Sequence, residues 1–301
     1  MPRDTRPFTP SDVMDNPRAE RVRAVAALAG RTARRRSETF LVEGPQGCRE
    51  ALRAHLGEGP ERARRQWRRG RVLTQVFVAP DLARRDPELG DLVARAHDLE
   101  GEDRLLVREA ADEVLTAMTD AVTAQGIVAV ARIPEPVPAE ELWRDVRLAA
   151  VLCRVQDPGN AGTVLRAADA AGADVVVFTA GSADPFGPKA VRSTAGSLFH
   201  LPVLTGAEVG RTADDARAAG LQVWAADGYG TDRLDRLAGD VVGAPTTWLF
   251  GNEAQGLNDA ELALADRRVA VPLYGAAESL NVATAATVCL YASAMAAPRR
   301  G

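Results

Sequence analysis

The sequence has few of the residues that bind metals or form disulfides. It contains only three cysteines and three histidines, and none of them has the paired Cys or Cys/His spacing of a zinc site. Cys48, Cys153 and Cys289 are far apart, and the last two lie within apolar runs. We therefore expect buried free thiols, no disulfide and no bound metal.

Long apolar runs are also missing. No unbroken apolar stretch reaches the length of about 20 residues that a membrane-spanning helix needs. The first residues, MPRDTRPFTPSDV, contain no apolar core of a signal peptide. The sequence thus predicts a cytoplasmic protein with no membrane partner. A length of 301 residues with 46% hydrophobic residues leaves room for two domains.

Lysine is nearly absent, and arginine takes its place. Lys189 is the only lysine among 37 Lys and Arg residues. The net charge is −4, yet residues 18–71 hold fifteen Arg, six Glu and no Asp, a local balance of +9 that leaves −13 for the rest of the chain. This asymmetry predicts a basic face, and the planar guanidinium suits phosphate groups. The preference for arginine has a second explanation, which is genome-wide codon bias.

The first part of the chain predicts a small α/β domain. Residues 1–15 mix Pro, Thr, Ser and Asp without periodicity and are expected to form a disordered leader. Residues 16–132 then alternate helix and strand patterns, beginning with a helix from Asn16 and a strand over 40–42. The Pro-rich stretch that follows predicts a linker over 133–145.

Two arginine-rich stretches of this domain are candidates for a basic surface. Residues 31–36 predict an exposed basic loop, and residues 57–71, GEGPERARRQWRRGR, surround Trp67 with arginines. An exposed indole among guanidinium groups is typical of a contact with single-stranded RNA, because it adds an aromatic face for a base to the charge that binds phosphate. The other interpretation is a solvated face with Trp67 in the core, and the sequence leaves both open.

Residues 146–301 predict a second α/β domain. Strand patterns at 148–155, 175–178, 222–225, 247–250 and 269–271 are separated by segments of helical composition. Such alternation gives a parallel sheet with helices on both faces. The last strand leads through a Gly-containing loop into an Ala-rich helix over 280–297, for which Ser279 is the expected cap.

Three strand-to-helix loops carry the polar groups of this second domain. They are VQDPGNAGTVLR at 155–166, LFGNEAQGL at 249–257 and VPLYGAAESLN at 271–281. In open α/β sheets, ligands bind beyond the carboxyl ends of the strands, where these loops lie. The chain contains neither a G-x-G-x-x-G nor a G-K-[ST] motif, so the residues by themselves indicate a nucleotide-like ligand site and no particular ligand.

These three segments, in this order, resemble the motifs of the SpoU/TrmH family of RNA ribose 2′-O-methyltransferases in the SPOUT superfamily. The resemblance covers roughly residues 147–297 and includes GPKAVR at 187–192, while FLVEGP at 40–45 is similar to the family's N-terminal substrate-binding domain. It implies a C-terminal SPOUT domain with a parallel sheet and a deep trefoil knot, preceded by a smaller α/β RNA-binding domain. It also implies S-adenosylmethionine as the cofactor, bound in the knot, and a homodimer.

The same resemblance assigns residues to the site. The main chain that meets the cofactor is expected near Leu249, Gly251, Val271, Leu273 and Leu280. Gly251 and Gly256 are expected to let that main chain approach the ligand closely. The catalytic centre is expected to consist of Asn160, Arg166, Glu253, Ser279 and Asn281.

Methyl transfer from a sulfonium to a ribose hydroxyl requires an aligned oxygen that loses its proton. Because a guanidinium stays protonated in proteins, we expect Arg166 to clamp phosphate and stabilise developing alkoxide charge rather than act as a base. Asn160 would orient Arg166 or the ribose, Glu253 would hold the network, and Ser279 with Asn281 would shape the pocket. Taken singly, Asn160 also fits a turn residue, and Glu253 also fits a helix-start acid.

The function that follows is methylation of large-subunit (23S) ribosomal RNA at a ribose 2′-hydroxyl. A transfer-RNA ribose methyltransferase is the alternative within the same chemistry, and the separate N-terminal domain favours ribosomal RNA. A non-catalytic RNA-binding factor for ribosome assembly is the alternative from another class. The presence of Asn160, Arg166, Glu253 and Asn281 favours an enzyme.

Overall fold

The structure, a computed structural model, describes residues 13–99, 104–121 and 124–298 of the chain. These residues form two compact units. The first extends to Glu135 and also takes in Phe186–His200, and the second comprises Pro136–Pro185 and the chain from Leu201 onward. The division between Glu135 and Pro136 lies inside the stretch that we predicted as a linker.

Strands and helices alternate through both units. The strands are β1 (Thr39–Glu43), β2 (Leu73–Val78), β3 (Leu106–Glu109), β4 (Ile127–Arg132), β5 (Leu148–Leu152), β6 (Val175–Thr179), β7 (Val203–Ala207), β8 (Gln222–Ala226), β9 (Asp232–Arg233), β10 (Thr246–Phe250) and β11 (Arg267–Ala270). The α-helices are α1 (Glu20–Ala26), α2 (Arg31–Ser37), α3 (Pro45–His55), α4 (Leu82–Arg85), α5 (Pro87–His97), α6 (Asp112–Met118), α7 (Ala139–Leu142), α8 (Pro158–Ala170), α9 (Pro188–Thr194), α10 (Val209–Ala218), α11 (Gly239–Val242), α12 (Asp259–Ala263) and α13 (Val282–Ala296). Short 3-10 turns cover Ala27–Ala29, Glu61–Arg65, Ser197–Phe199 and Leu234–Arg236.

The first unit is built on a four-stranded sheet in the order β1–β4–β2–β3. β4 pairs antiparallel with β1 and β2, while β2 and β3 are parallel. Met14 forms a bridge with Ala110, just beyond β3. The predicted disordered leader, residues 1–15, therefore differs from the structure at its last residues, and residues 1–12 lie outside the described part of the chain.

The segment Phe186–His200 belongs to the first unit although its neighbours along the chain belong to the second. The rings of Phe186 and Phe199 lie 5.1 Å and 6.3 Å from the ring of Phe40 in β1. Arg192 of α9 forms ion pairs with Glu43 and Asp120. We predicted a single domain from residue 146 onward, so this placement differs from the prediction.

Two residues of the predicted basic surface are buried structural groups. Trp67 is 3% exposed and donates its indole N–H to the carbonyl oxygen of Leu198 at 3.0 Å. Its interpretation as an RNA-contacting indole is therefore wrong, and the core interpretation is confirmed. Arg34 is 4% exposed and donates to the carbonyl oxygens of Leu28 and Ala29. It lies in helix α2, where we predicted a loop.

The second unit contains a seven-stranded sheet in the order β7–β6–β5–β10–β8–β11–β9. Every neighbouring pair is parallel, which confirms the predicted parallel sheet. The sequence analysis found five of these strands. It missed β7 and β9 at the two edges, where half-exposed residues give no continuous apolar run.

The middle of this sheet is fully buried. All residues of β5 and β10 are buried, as expected for parallel strands covered on both faces. Trp248 of β10 donates its indole N–H to Ser293 Oγ of α13 at 3.0 Å, which fixes the last helix against the sheet. Among the residues that the structure describes, no helix has the length and apolar content to cross a membrane.

Candidate active site

The three polar loops leave the same edge of the second sheet. β10 pairs in parallel with β5 and β8, and β8 pairs in parallel with β11. The loops after β5, β10 and β11 therefore all start at the carboxyl ends of parallel strands of one sheet, where open α/β sheets bind ligands. The sequence segments that carry these loops meet at one end of the unit.

The loop after β5 ends in a well-capped helix. Asp157 is the N-cap of α8, and its Oδ1 accepts the main-chain N–H of Asn160 at 2.8 Å. Pro158 occupies the first helical position, where a missing N–H costs nothing. The cap fixes Asn160 in the first turn of α8, and its side-chain amide bonds to the other two loops.

A continuous chain of hydrogen bonds links all three loops. Asn281 donates its Nδ2 to Asn160 Oδ1 at 3.0 Å, and Asn160 donates its Nδ2 to Glu253 Oε1 at 3.2 Å. Glu253 also accepts the main-chain N–H groups of Asp157 at 3.0 Å and Gln156 at 3.1 Å. Because one end of the Asn160 amide accepts and the other donates, these neighbours set its orientation.

These contacts also set the charge of Glu253. Burial acts to raise the pKa of its carboxyl group, but the N–H groups of Gln156 and Asp157 and the Asn160 amide outweigh it and lower the pKa. Hydrogen bonds to the charged form of a carboxylate have this effect. Glu253 is therefore an anionic anchor whose oxygens already accept three N–H donors, and it is poorly suited to act as a general base.

Asn281 also begins the last helix. Its Oδ1 accepts the N–H groups of Ala283 at 2.9 Å and Thr284 at 3.4 Å, so Asn281 is the N-cap of α13. The prediction that Ser279 caps this helix is wrong, because Ser279 is exposed and lies two residues before the N-cap, Asn281. A single side chain thus starts the helix with its oxygen and reaches Asn160 with its nitrogen.

The remaining predicted catalytic residue, Arg166, is not part of this chain of hydrogen bonds. It lies on α8 with its side chain exposed. Within the described ranges, its guanidinium makes no hydrogen bond or ion pair. The structure therefore brings together Asn160, Glu253 and Asn281, and it leaves Arg166 and Ser279 outside the network.

The predicted cofactor residues fall into two groups. Leu249 is fully buried in the core of the unit, so only its main chain is available to a ligand. Val271 is half-buried. Leu273 and Leu280 are large apolar side chains on the loop after β11, and they are 40% and 36% exposed.

Gly251 has a structural role in addition to the approach to the ligand that we predicted. A Cβ atom on Gly251 would lie 2.2 Å from the carbonyl carbon of Gly256 and 2.3 Å from the nitrogen of Leu257. The chain's own return past Gly251 therefore requires glycine at this position, whatever ligand binds nearby. Gly256 has φ +65, a conformation that glycine adopts easily.

The sequence analysis missed three residues that hold the loops together. Asn252 donates its Nδ2 to the carbonyl oxygen of Arg154 at 2.9 Å, and Arg154 pairs with the buried Glu261. One sequence signal was available, because Asn258 and Glu261 have the spacing of a helix capping box, which the structure contains. Among the described residues, no group of His, Cys, Asp and Glu side chains could hold a metal.

The known proteins to which this chain is similar are RNA methyltransferases by name. The SpoU rRNA Methylase family matches residues 147–291. The chain is 38% identical over 182 residues to the 23S rRNA (guanosine(2553)-2′-O)-methyltransferase RlmP of Bacillus subtilis, which covers 60% of this chain and 69% of that protein. It is 33% identical over 286 residues to the 23S rRNA (uridine(2479)-2′-O)-methyltransferase of Streptomyces viridochromogenes, covering 88% of this chain and 86% of that protein.

A solved structure supports the same assignment. The S-adenosylmethionine-bound rRNA methyltransferase from Sinorhizobium meliloti superposes with a TM-score of 0.76 at 25% identity, over 94% of this chain and 97% of that one. These relatives confirm the predicted methyltransferase activity, its RNA substrate class and S-adenosylmethionine as the cofactor. The chain belongs to the SpoU rRNA methylase family.

Proposed function

We propose that this protein methylates a ribose 2′-hydroxyl of 23S ribosomal RNA in the cytoplasm. The observation that carries the proposal is the hydrogen-bonded chain from Asn281 through Asn160 to Glu253, which joins the three loops at the carboxyl edge of the sheet. The two relatives named above are 23S rRNA 2′-O-methyltransferases, which supports that substrate over transfer RNA.

The loop after β11 fits the cofactor. When bound, S-adenosylmethionine supplies a methyl group carried on a sulfonium. Leu273 and Leu280 would cover the apolar faces of its nucleoside, since both are exposed on the same loop. The main chain at Leu249, Gly251 and Val271 would supply hydrogen-bonding groups at the ends of β10 and β11. In the family this loop is part of a trefoil knot, and we propose the same path here.

Arg166 would act on the RNA. Its exposed guanidinium has no partner in the described part of the chain, so it is available to a phosphate or to the 2′-oxygen as that atom gains negative charge. Asn160 would hold the ribose with an amide whose orientation Glu253 and Asn281 fix. Ser279, exposed on the cofactor loop, would contact the ligand. Since Glu253 already accepts three N–H donors that hold it ionised, the proton of the 2′-hydroxyl would leave to solvent or to the RNA phosphate.

The first unit would bind the RNA through its exposed arginines. Arg31, Arg35 and Arg36 project from α2, and Arg68 and Arg69 follow the 3-10 turn, all of them exposed. Trp67 and Arg34 take no part, because both are buried. This leaves phosphate binding as the role of the surface, with little stacking on bases.

We also propose a homodimer that pairs through α13. Val288, Tyr291 and Met295 are 39%, 38% and 77% exposed on this helix, and they recur at helical spacing. Light scattering at micromolar concentration is expected to give twice the monomer mass for the wild type. The Met295→Glu variant is expected to give the mass of a single monomer. A monomeric wild type with full activity would contradict this proposal.

A methyl-transfer assay with two RNA substrates tests the function directly. Purified protein, radiolabelled S-adenosylmethionine and unmodified 23S rRNA or bulk transfer RNA are incubated side by side. Label is expected in 23S rRNA alone, and in a 2′-O-methyl nucleotide after hydrolysis. Label in transfer RNA would instead select the alternative substrate. Cofactor binding without transfer to any RNA would support a non-catalytic assembly factor.

A further inference from the structure

We infer that Arg154 is a positioning residue, which sets the Glu253 carboxylate through the loop between β10 and α12. This inference rests on the proposed function, because Glu253 has a role in methyl transfer only if the polar chain does. Arg154 was not among the predicted site residues, and it touches none of Asn160, Glu253 and Asn281 directly. Its effect would be transmitted by the main chain of the loop.

The main chain of Arg154 has an unusual conformation. Its φ is 58, in the left-handed region that residues with a side chain rarely adopt. Its N–H donates to Thr179 Oγ1 at 3.1 Å, and its carbonyl oxygen accepts from Asn252 Nδ2 at 2.9 Å. The loop after β5 thus turns at Arg154, two residues before Gln156, which with Asp157 donates its N–H group to Glu253.

The side chain of Arg154 holds the opposite loop. Its Nε and one terminal nitrogen donate to the two oxygens of Glu261 at 2.9 Å and 2.7 Å. The same terminal nitrogen donates to the carbonyl oxygen of Gly256 at 3.2 Å. Glu261 is 4% exposed and also accepts the main-chain N–H of Asn258 at 2.8 Å, so the pair is anchored at the start of α12.

Gly256 connects the Arg154 side chain to the turn that carries Glu253. Gly256 and Asn252 exchange two main-chain hydrogen bonds, 3.1 Å and 2.8 Å long, which close a short turn that contains Glu253 as its first inner residue. Asn252 Oδ1 tightens the turn by accepting the N–H of Ala254 at 2.9 Å. Arg154 contacts both ends of this turn. Its carbonyl oxygen accepts from Asn252 at one end, and its guanidinium donates to Gly256 at the other, so the orientation of the turn is fixed at both ends.

Glu253 itself is exposed, and its carboxylate is held by hydrogen bonds from Gln156, Asp157 and Asn160. Its position depends on the turn behind it and on the donors in front of it. If the turn moves, Glu253 loses its geometry with Asn160, and the Asn160 amide loses the partner that orients it. A displacement of about 1 Å at a reacting centre can cost about a hundredfold in rate.

The test must separate positioning from folding. Arg154→Met alone leaves the buried Glu261 charge without its partner and is expected to lower stability. The double variant Arg154→Met, Glu261→Gln removes both charges and keeps an oxygen that can accept the Asn258 N–H. A matched control is Arg217→Met, which removes another arginine–carboxylate pair of the same unit, with Asp266.

Steady-state methyl transfer and calorimetry are measured on the full-length proteins. The double variant is expected to unfold near the wild-type temperature, with kcat about tenfold to a hundredfold lower and KM for RNA within about twofold. Arg217→Met is expected to keep its kcat. In a Glu253→Gln background, adding the double change is expected to lower kcat by no more than about twofold, because the effect passes through Glu253. An unchanged kcat in the folded double variant, or full additivity with Glu253→Gln, overturns the inference.

A second readout does not depend on activity. Amide hydrogen exchange at Gln156 and Asp157 reports directly on the bonds to Glu253. Exchange at both is expected to be faster in the double variant and unchanged in Arg217→Met. If the wild type transfers no methyl group to any RNA, the proposed function fails while this measurement still decides the positioning. Equal protection in wild type and double variant overturns the inference by itself.

Discussion

Asn281 donates its side-chain amide to Asn160 at 3.0 Å, across 121 positions of sequence. The same Asn281 caps α13 with its oxygen, and the same Asn160 donates to Glu253. These hydrogen bonds therefore fix the relative positions of the start of α13, the first turn of α8 and the loop after β10. A change in any of these amides is expected to alter all three loops together.

Asn160→Asp tests this coupling most directly. The substitution replaces an amide donor by a carboxylate at 3.2 Å from Glu253 Oε1, so two negative charges would face each other. We expect kcat for methyl transfer to fall about a hundredfold. Adding Glu253→Gln restores a donor–acceptor pair and is expected to recover about tenfold of that loss. No recovery in the double variant would show that the two side chains act separately.

Arg166→Ala is expected to separate catalysis from cofactor binding. The exposed side chain makes no hydrogen bond or ion pair within the described part of the chain, so its removal should leave the unfolding temperature unchanged. We expect kcat to fall about a hundredfold to a thousandfold, since developing charge on oxygen loses its stabilising donor. Calorimetry is expected to give the wild-type Kd for S-adenosylmethionine. Equal losses of transfer and cofactor binding would assign Arg166 to the cofactor pocket instead.

The pH dependence of Glu253 has a definite sign. Burial raises the pKa of this carboxyl, but the donors at Gln156 and Asp157 lower it overall, so the folded pKa lies below the unfolded value. The stabilisation is therefore complete above the unfolded pKa of about 4.3 and is lost as the pH falls through the folded value. Between pH 5 and 8 Glu253 stays ionised, roughly as any ordinary carboxylate does.

Two measurements on Glu253→Gln follow from that sign. Its unfolding temperature is expected to fall less steeply than that of the wild type below about pH 4. Its kcat is expected to be lower at every pH, with a pH–rate profile of wild-type shape. Loss of an acidic limb from the profile in Glu253→Gln would identify Glu253 as a general base and contradict its role as an anchor.

A chain that begins at Ala139 is expected to fold poorly. It would retain Phe186 and Phe199 but lose Phe40 and Trp67, the aromatic side chains of the first unit that pack against them. We expect low soluble yield and strong binding of a hydrophobic dye. A soluble product that binds S-adenosylmethionine with the wild-type Kd would contradict this expectation.

The sequence predicted most of what local patterns determine. Alternating strand and helix patterns predicted the parallel sheet, and the three polar loops predicted where Asn160, Glu253 and Asn281 meet. It did not predict the placement of Phe186–His200, because packing between distant segments leaves no periodic signal. It assigned the cap to Ser279, since serine and asparagine are equally good caps and only the dihedral angles distinguish them. The burial of Trp67 was likewise undetermined, because an indole among arginines suits a surface and a core edge equally well.

The basic surface of the first unit is expected to contribute a measurable electrostatic share of RNA affinity. Each phosphate contact releases counterions, so the logarithm of affinity falls with the logarithm of salt by about 0.7 to 0.9 per contact. Replacing Arg31, Arg35 and Arg36 by Gln is expected to reduce that slope by about 2 to 3. Arg34 is left in place because its bonds to Leu28 and Ala29 are structural.

A control with the same change in net charge makes this prediction specific. Replacing Arg53, Arg84 and Arg95 by Gln removes three arginines of the same unit that already pair with carboxylates. Their charge is largely compensated, so the salt slope is expected to fall by less than about 1. Cofactor affinity should stay unchanged in both triple variants, because no replaced residue lies in the loops after β5, β10 and β11.

If the salt slope falls equally in both variants, RNA affinity depends on the overall charge of the protein rather than on the arginines of α2. If neither loses any, the excess of arginine in residues 18–71 is a solvated surface and RNA binding lies in the second unit.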